Sequence, residues 1–471
     1  MRLSELVRHG SEQEVTGFSI DNRKVEPGHV FGAFRGARHN GEDFIADAVE
    51  RGAVAVVCRE GVDTGRAQRI ASDDPRETFA QMAARFYGPY PETVVAVTGT
   101  NGKTSTVEMC RQMWRMGGKR SASIGTLGVT TSDDQVKTGL TTPDIVTFLN
   151  NMAGLKRMGI SHVAYEASSH GLDQHRAEGV PIKAAAFTNF SRDHLDYHET
   201  MEAYFEAKMR LFDELLPDDA TAVVWTDDDY SERVIARVKQ RGLKLMTIGS
   251  EGDTIRLGER RSTALGQAMA IVHDGETHLL KLPLIGEYQA SNVLTAAGLL
   301  LATGSGFGDV FAAMGRVSPV RGRLERAVIS KKGAPVYVDY AHTPDAIEAA
   351  IAALRPHVEK KLITVFGAGG DRDKGKRLPM GEVAAEASDI VIVTDDNPRS
   401  EDPAAIRAAI LEGAPDAIEV AGRREAITKA ISLAEAGDIV LLAGKGHELG
   451  QIIGDVTHPF DDAQVARECA S

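Results

Sequence analysis

An apolar, β-branched run, Val94-Val95-Ala96-Val97, leads into Thr98-Gly99-Thr100-Asn101-Gly102-Lys103-Thr104-Ser105, and a helix-forming stretch follows. That order suits phosphate binding. Gly99 and Gly102 let the backbone turn tightly with its N–H groups aimed inward, Lys103 brings a point charge for the outer phosphates, and the Thr104 hydroxyl is placed to ligate Mg²⁺. Val97 stands where the usual form of such a loop has its first glycine, which disfavours ordinary GTPases and kinases. A strand-to-helix turn with two incidental glycines is the bland alternative, and the strand, turn and helix context weighs against it.

Glu166 ends another apolar run, His162-Val163-Ala164-Tyr165-Glu166. A carboxylate at the end of the strand beside a phosphate loop can hold Mg²⁺ directly or through water. Five of the fourteen histidines fall between His162 and His198. A single loop histidine is ordinarily just solvated, but a dense cluster next to a nucleotide loop favours a site. Zinc hydrolysis finds no support, because neither an HExxH pattern nor a Cys/His ligand set is present.

Further along, Gly369-Gly370-Asp371-Arg372-Asp373-Lys374-Gly375-Lys376-Arg377, Asp395-Asp396-Asn397-Pro398-Arg399 and Gly444-Lys445-Gly446-His447-Glu448 each follow an apolar run. Arginine grips carboxylate or phosphate bidentately. A ligand with both amine and carboxylate groups needs both signs, and Arg372 and Arg399 alongside Asp396 and Glu448 supply them. Each loop alone reads equally well as a solvated turn, since Gly, Asp, Asn and Pro favour turns for backbone reasons. Three of mixed charge in one region are harder to dismiss.

The elements that must carry these loops are those of an α/β protein. The 471 residues suffice for two to four domains with a core in each. The first region runs to about Tyr87, where Gly88-Pro89-Tyr90-Pro91 breaks a helix rich in Ala, Met and Arg. Beyond it, strands such as 162–166 and 184–189 alternate with amphipathic helices, which predicts a mainly parallel sheet covered on both faces. A third region opens near residues 319–323, and its strands 335–339, 362–366, 390–394 and 439–443 again alternate with helices. The expected domains are residues 1–88, 89–318 and 319–471. In open α/β sheets ligands bind at the carboxyl ends of strands, so the loops above are where a site belongs.

Hydrophobic residues make up 42% and charged residues 26%, as in a soluble globular chain, and no apolar run is long enough to span a bilayer. The start, Met1-Arg2-Leu3-Ser4-Glu5-Leu6, lacks the apolar core of a signal peptide, and three widely spaced cysteines support no disulfide framework, so a cytoplasmic location is expected. A net charge of -13 argues against general affinity for nucleic acid or anionic membrane. Local basic clusters must therefore hold any anionic ligand.

Taken together, residues 98–105, Glu166-Ala167-Ser168-Ser169-His170-Gly171-Leu172, Thr188-Asn189-Phe190-Ser191-Arg192-Asp193-His194-Leu195-Asp196-Tyr197-His198, Gly322-Arg323-Leu324-Glu325, Asp339-Tyr340-Ala341-His342-Thr343-Pro344-Asp345 and residues 369–377 resemble the Mur ligases. These are the ATP-dependent amino-acid-adding enzymes of peptidoglycan synthesis, and the resemblance runs over nearly the whole chain. It implies three domains: an N-terminal one for a UDP-linked substrate, a central P-loop ATPase domain and a Rossmann-like C-terminal domain for the amino acid. It implies that Gly99, Thr100, Asn101, Gly102, Lys103, Thr104 and Ser105 cradle ATP, with Asn292, Arg323 and Asp339 completing the nucleotide site. Thr104 and Glu166 would bind one Mg²⁺, and His194 and a carbamylated Lys208 (N6-carboxylysine) would serve a second. Lys103, Glu166, His194 and Lys208 form the implied catalytic set.

The resemblance also implies that Ile20, Asn22, Thr141, Thr142, Ser168, Gln174 and Arg176 grip the UDP-linked substrate, although Asn22 stands where the family's usual motif has serine. The Asp396-Asn397-Pro398-Arg399 loop resembles that of members accepting meso-diaminopimelate, so Arg372, Asp396, Asn397, Pro398, Arg399, Gly444 and Glu448 are the expected amino-acid contacts. Members adding L-lysine usually lack the arginine. The implied partners are thus UDP-MurNAc-L-Ala-D-Glu and meso-diaminopimelate, with the chain a monomer. An L-lysine-adding ligase and, more remotely, a small-molecule kinase are the competing readings.

Overall fold

The computed structural model describes residues 1–36, 39–136, 138–263 and 266–470. A small parallel sheet comes first, β1 (Gly17–Ser19), β2 (His29–Gly32), β3 (Ala55–Cys58) and β4 (Gln68–Ala71), paired in that order. The helix Pro75–Tyr87 follows it. Asp74 caps that helix by accepting a hydrogen bond from the Glu77 amide, Pro75 presets its first turn, and Gly88 ends it. Phe79, Ala80 and Met82 from its buried face join an apolar cluster that also takes Val94 and Ala96 of the next region, so the first two regions share a core.

The large central sheet contains β5 (Thr93–Thr98), β6 (Ser121–Gly125), β7 (Gly128–Thr130), β8 (Gln135–Val136), β9 (His162–Glu166), β10 (Ala184–Phe187), β11 (Thr221–Trp225), β12 (Lys244–Gly249), β13 (Ile255–Thr263), β14 (Gly266–His273) and β15 (Glu276–Leu282). Its order is β15-β14-β13-β12-β11-β10-β5-β9-β6-β7-β8. Pairing is parallel from β13 through to β6. Along β5, Val94 and Ala96 enter one apolar cluster and Val95 and Val97 the opposite one, as a strand buried on both faces requires. With β5 between β9 and β10, Val97 lies opposite both Glu166 and Ala186. The carboxyl ends of the three strands therefore lie side by side.

The sheet is not parallel throughout. β13–β15 form an antiparallel meander and β6–β8 another. β14 and β15 turn through Asp274 (φ 49°) and Gly275 (φ 80°), the Asp-Gly pair that a two-residue hairpin favours.

The third sheet is β16 (Glu325–Ile329), β17 (Pro335–Asp339), β18 (Leu362–Phe366), β19 (Ile390–Val393), β20 (Ile418–Glu419) and β21 (Ile439–Ala443), ordered β16-β17-β21-β18-β19-β20. All pairs but β16–β17 are parallel. Asp339 pairs with Ala443, so the loops after β17, β21, β18 and β19 emerge along one edge. A final hairpin, β22 (Gly450–Ile453) and β23 (Val456–Pro459), leans on that edge, with Arg399 bridged to Ile453. Among the described residues no helix is long and apolar enough to cross a membrane.

The C-terminal helix Asp462–Ala470 is locked to this sheet by a fully buried ion pair. Both Arg423 and Asp462 have side chains at 0% exposure, bonded at 2.6 and 2.8 Å, and Arg423 also donates to the Ala443 carbonyl at 2.8 Å. Breaking such a pair strands a charge without a partner. Asp462→Asn should therefore lower unfolding free energy by about 3–5 kcal/mol in chemical denaturation; a loss below about 1 kcal/mol would show that the pair does not anchor the helix.

Candidate functional site

β5 delivers its chain into residues 98–105, and the loop is stitched to the segment after β10. Thr100 N–H donates to the Asn189 carbonyl at 2.9 Å, Asn101 N–H to Asn189 Oδ1 at 2.8 Å, and the Thr188 hydroxyl to the Asn101 carbonyl at 2.7 Å. Gly99 and Gly102 carry φ values of 139° and 83°, and any side chain at Gly99 would collide with the Thr188 hydroxyl. Gly102 caps the helix Lys103–Met116, whose first N–H groups face the loop.

Two lysines converge on one carbonyl. Lys103 Nζ donates to the oxygens of Gly99 and Thr100 at 2.8 and 2.7 Å, and Lys208 Nζ donates to the same Gly99 oxygen at 2.8 Å. Lys208 sits on the helix Met201–Arg210, which Thr200 caps through the Ala203 amide. Its side chain is 1% exposed, and its ammonium lies 4.2 Å from the centre of the Tyr204 ring. Burial pushes its pKa well below the ordinary lysine value, the Lys103 charge pushes it further, and Asp193 opposes. Lys103 is lowered too, by burial first, with Glu166 and Asp193 opposing.

Glu166 is 1% exposed at the end of β9. It accepts from the Thr126 amide at 2.7 Å and the Thr126 hydroxyl at 3.1 Å, and Arg323 donates to the Thr104 hydroxyl at 3.1 Å. Burial raises the Glu166 pKa, opposed by Lys103 and by the Thr126 amide. The Thr104 hydroxyl and the Glu166 carboxylate are hard oxygen donors of the kind Mg²⁺ takes, and His194 stands across the same cleft. Among the described residues no three His, Cys, Asp or Glu side chains form a metal-holding group, so a metal here would draw on hydroxyl and phosphate oxygens as well.

The cleft has a volume of about 390 Å³. Thr100 through Ser105, Thr141, Glu166, Ser168, His194, Lys208, Asn292, Arg323 and Asp339 all line it; Gly99 contributes its carbonyl from beneath. The third sheet closes its far side. Asp339 accepts from the Leu324 and Ala341 amides at 2.7 and 2.8 Å, and the Arg323 guanidinium lies 4.4 Å from the centre of the Tyr340 ring. Arg192 reaches Asp373 at 3.4 Å, and His342 lies 3.9 Å from Asp193. Burial would raise the Asp193 pKa, but His194, His342 and Lys376 hold it below the usual carboxylate range.

Four of the expected UDP-substrate residues form one network. The Thr142 and Ser168 hydroxyls meet at 2.9 Å, Arg176 donates to the Thr142 carbonyl at 3.1 Å and to Gln174 at 2.6 Å, and Thr142 donates to the Glu166 carbonyl at 2.7 Å. Thr141 joins through Thr126 at 3.1 Å. Ile20 and Asn22 stand apart on the first region, Ile20 39% exposed and Asn22 donating to Asp47 at 2.7 Å.

The expected amino-acid residues gather on the third sheet's edge. Asn397 donates to Glu448 at 2.8 Å and accepts from the Ile452 amide at 2.9 Å, and Arg399 donates to the Gly370 carbonyl at 2.7 Å. Arg399 holds φ at 53°, pinned by the final hairpin through Ile452 and Gly454. Pro398 serves through its carbonyl, which accepts from the Glu401 amide, and Gly444 donates to the Asp339 carbonyl. Arg372 is exposed on its loop and is not hydrogen-bonded into this cluster. Lys445, which the sequence did not mark out as a site residue, is fully buried at the cluster's centre. Nor did the sequence mark out Thr126, which holds Glu166, or Tyr204 and Tyr340, whose rings lie under Lys208 and Arg323. Only the two glycines flanking Lys445 hinted at an inward turn.

Three family models match the chain: "Mur ligase family, catalytic domain" over residues 14–87, "Mur ligase middle domain" over residues 97–300 and "Mur ligase, glutamate ligase domain" over residues 322–446. A protein of Zymomonas mobilis named UDP-N-acetylmuramoyl-L-alanyl-D-glutamate–2,6-diaminopimelate ligase is 58% identical over 458 residues, covering 96% of this chain and 94% of that one. The protein of that name from Caulobacter vibrioides is 49% identical over 470 residues, covering 98% and 97%. A solved structure of a ligase with the same name superposes with a TM-score of 0.72 at 33% identity, covering all of this chain and 98% of the other.

Among the described residues Lys103 donates hydrogen bonds only to loop carbonyls, and it belongs to no apolar cluster. Lys103→Ala should cut nucleotide-dependent turnover by roughly 100-fold or more while the melting temperature moves by less than about 4 °C. Near-normal turnover in the folded variant would remove the loop from phosphate chemistry.

Proposed function

The chain belongs to the Mur ligase family, and on that premise we propose that it is the ATP-dependent ligase that joins meso-2,6-diaminopimelate to the D-glutamyl γ-carboxylate of UDP-N-acetylmuramoyl-L-alanyl-D-glutamate in peptidoglycan precursor synthesis. The carrying observation is the mixed-charge cluster of Asp396, Asn397, Arg399 and Glu448 on the edge of the third sheet, the same sheet whose residues 339–342 line the phosphate cleft. A phosphate loop alone would serve a kinase equally well. A pocket offering both signs suits an amino acid.

A carboxylate is a poor electrophile, so it first takes the γ-phosphoryl group of ATP to become an acyl phosphate; the amine then attacks that carbonyl carbon and phosphate leaves. Residues 99–105 hold the triphosphate through backbone N–H groups and Lys103, and Asn292, Arg323 and Asp339 complete the nucleotide site. Thr104 and Glu166 would hold one Mg²⁺ and His194 and modified Lys208 a second, and the two ions would neutralise charge that builds on the transferred phosphoryl group. Ile20, Asn22, Thr141, Thr142, Ser168, Gln174 and Arg176 orient the UDP-linked substrate. Arg399 and Arg372 take the distal carboxylate of diaminopimelate, and Asp396 and Glu448 its ammonium. No protein nucleophile is required. Residues 1–88, 89–318 and 319–471 are assigned as the substrate, ATP and amino-acid domains of a cytoplasmic monomer.

Carbamylation of Lys208 is part of this reading. A neutral amine adds to CO₂ with loss of a proton, and the buried position that depresses the Lys208 pKa favours the neutral form. The carbamate would convert a cation beside Lys103 into an oxygen ligand. Lys208→Ala should lose most activity, with partial return on adding a short carboxylate such as acetate or formate. An unmodified Lys208 in active enzyme, read by carbonyl-carbon NMR, would contradict it.

The direct test is ATP-dependent ligation with meso-diaminopimelate and L-lysine in parallel. A kinase would form ADP without an amino acid. Arg399→Ala should cost on the order of 2–4 kcal/mol of discrimination, a roughly 30- to 1000-fold fall in preference for diaminopimelate over lysine, with ATP use unchanged. Wild-type preference for L-lysine, or full discrimination in the variant, would overturn the assignment of the Asp396-to-Arg399 loop.

A further inference from the structure

Lys445 is a lysine with 0% side-chain exposure, whereas lysines ordinarily keep their ammonium in water. Gly444 (φ 110°) and Gly446 (φ 53°) flank it, and this backbone path turns the side chain inward. A side chain at Gly446 would come within 2.7 Å of Tyr340 Cβ, so the loop packs tightly against the strand that serves the nucleotide cleft. The ammonium has three acceptors for its three hydrogens: Asn397 Oδ1 and Glu448 Oε2, each at 3.0 Å, and Asp396 Oδ1 at 3.4 Å.

The pattern fixes more than charge. Lys445 Nζ and Asn397 Nδ2 both address the same oxygen of Glu448, Oε2. The Asn397 amide is itself held by Lys445 and the Ile452 amide, so its orientation follows from its donors. The Glu448 carboxylate is thereby pinned by one oxygen, and its other oxygen, Oε1, makes no protein hydrogen bond among the described residues. Asp396, Glu448 and Lys445 together carry one net negative charge, which suits one ligand ammonium, while Arg399 on the same edge supplies the positive charge for a carboxylate.

We propose that Lys445 is the positioning residue of the amino-acid pocket, orienting Glu448 Oε1 and Asp396 toward the amino acid's ammonium and setting the pocket's charge to accept one. The proposal rests on the ligase reading above. It assigns Lys445 no contact with the substrate and no part in phosphoryl transfer.

The test measures Lys445→Met and Lys445→Gln in the full chain, with KM for meso-diaminopimelate, KM for ATP, kcat and melting temperature read together. Lys445→Met should raise the amino-acid KM by about 100-fold, with ATP KM within about twofold and kcat at saturating amino acid within about tenfold. Lys445→Gln keeps an N–H donor for Glu448 in similar volume, so it should fold even if the methionine variant does not, with a KM rise of about 10-fold. Folded variants with an amino-acid KM within about threefold of wild type, or with both KM values rising together, would overturn the proposal. Wild type is assayed alongside: if it ligates normally while the variants are unaffected, only the role of Lys445 fails, and if it joins no amino acid the ligase reading fails and this proposal with it.

Discussion

The Gly99 carbonyl oxygen, shared by the ammonium groups of Lys103 and Lys208, is the contact on which the site depends. Two like charges on one acceptor, one of them 1% exposed, repel across a short distance in a poorly solvated place. The fold tolerates this because anions are close: Glu166 and Asp193 both oppose the loss of charge on Lys103, and Asp193 opposes it on Lys208. On the proposed reading Lys103 keeps its charge for the triphosphate. The same crowding makes Lys208 a good candidate for chemical conversion to an anion.

From this contact outward, each layer of structure supplies a geometric condition. β5 between β9 and β10 sets the phosphate loop beside Glu166 and the segment 188–198. Thr188 and Asn189 tie that segment to the loop, so it cannot drift independently. The third sheet repeats the arrangement with its own strand ends. Its Asp339 and Tyr340 line the phosphate cleft, while residues 396–399 and 444–448 form the hydrogen-bonded cluster proposed to take the amino acid. Arg323 and Tyr340 join the two, with Arg323 reaching Thr104 and stacking on the tyrosine. The Arg192–Asp373, Asp193–His342 and Tyr288–Asp339 contacts are further links across the cleft.

Much of this was legible in the sequence because its cause is local. The strand, turn and helix around Gly99, Gly102, Lys103 and Thr104 follow from their spacing, and the place of Glu166 from its ending a buried strand. The meander β13–β15 was less legible, although Asp274-Gly275 marked its turn, because the surrounding βα alternation suggested a parallel continuation. Lys445, Thr126, Tyr204 and Tyr340 could not be read at all. Their roles depend on distant neighbours, 40 residues away for Thr126 and Glu166, 48 for Lys445 and Asn397 and 104 for Tyr204 and Thr100, and a lysine in a glycine-rich loop looks like a solvated one until its acceptors are seen.

In the proposed mechanism a carboxylate is activated by phosphorylation in the cleft between Lys103, Glu166 and Lys208 before an amine attacks it and phosphate leaves. The most direct measurement follows oxygen rather than turnover. With the D-glutamyl γ-carboxylate labelled with oxygen-18 and ligation driven by ATP and meso-diaminopimelate, mass spectrometry of the released phosphate reports which bond breaks. Activation as an acyl phosphate predicts one labelled oxygen transferred to each phosphate released. Phosphate free of label, with ligated product still formed, would contradict it.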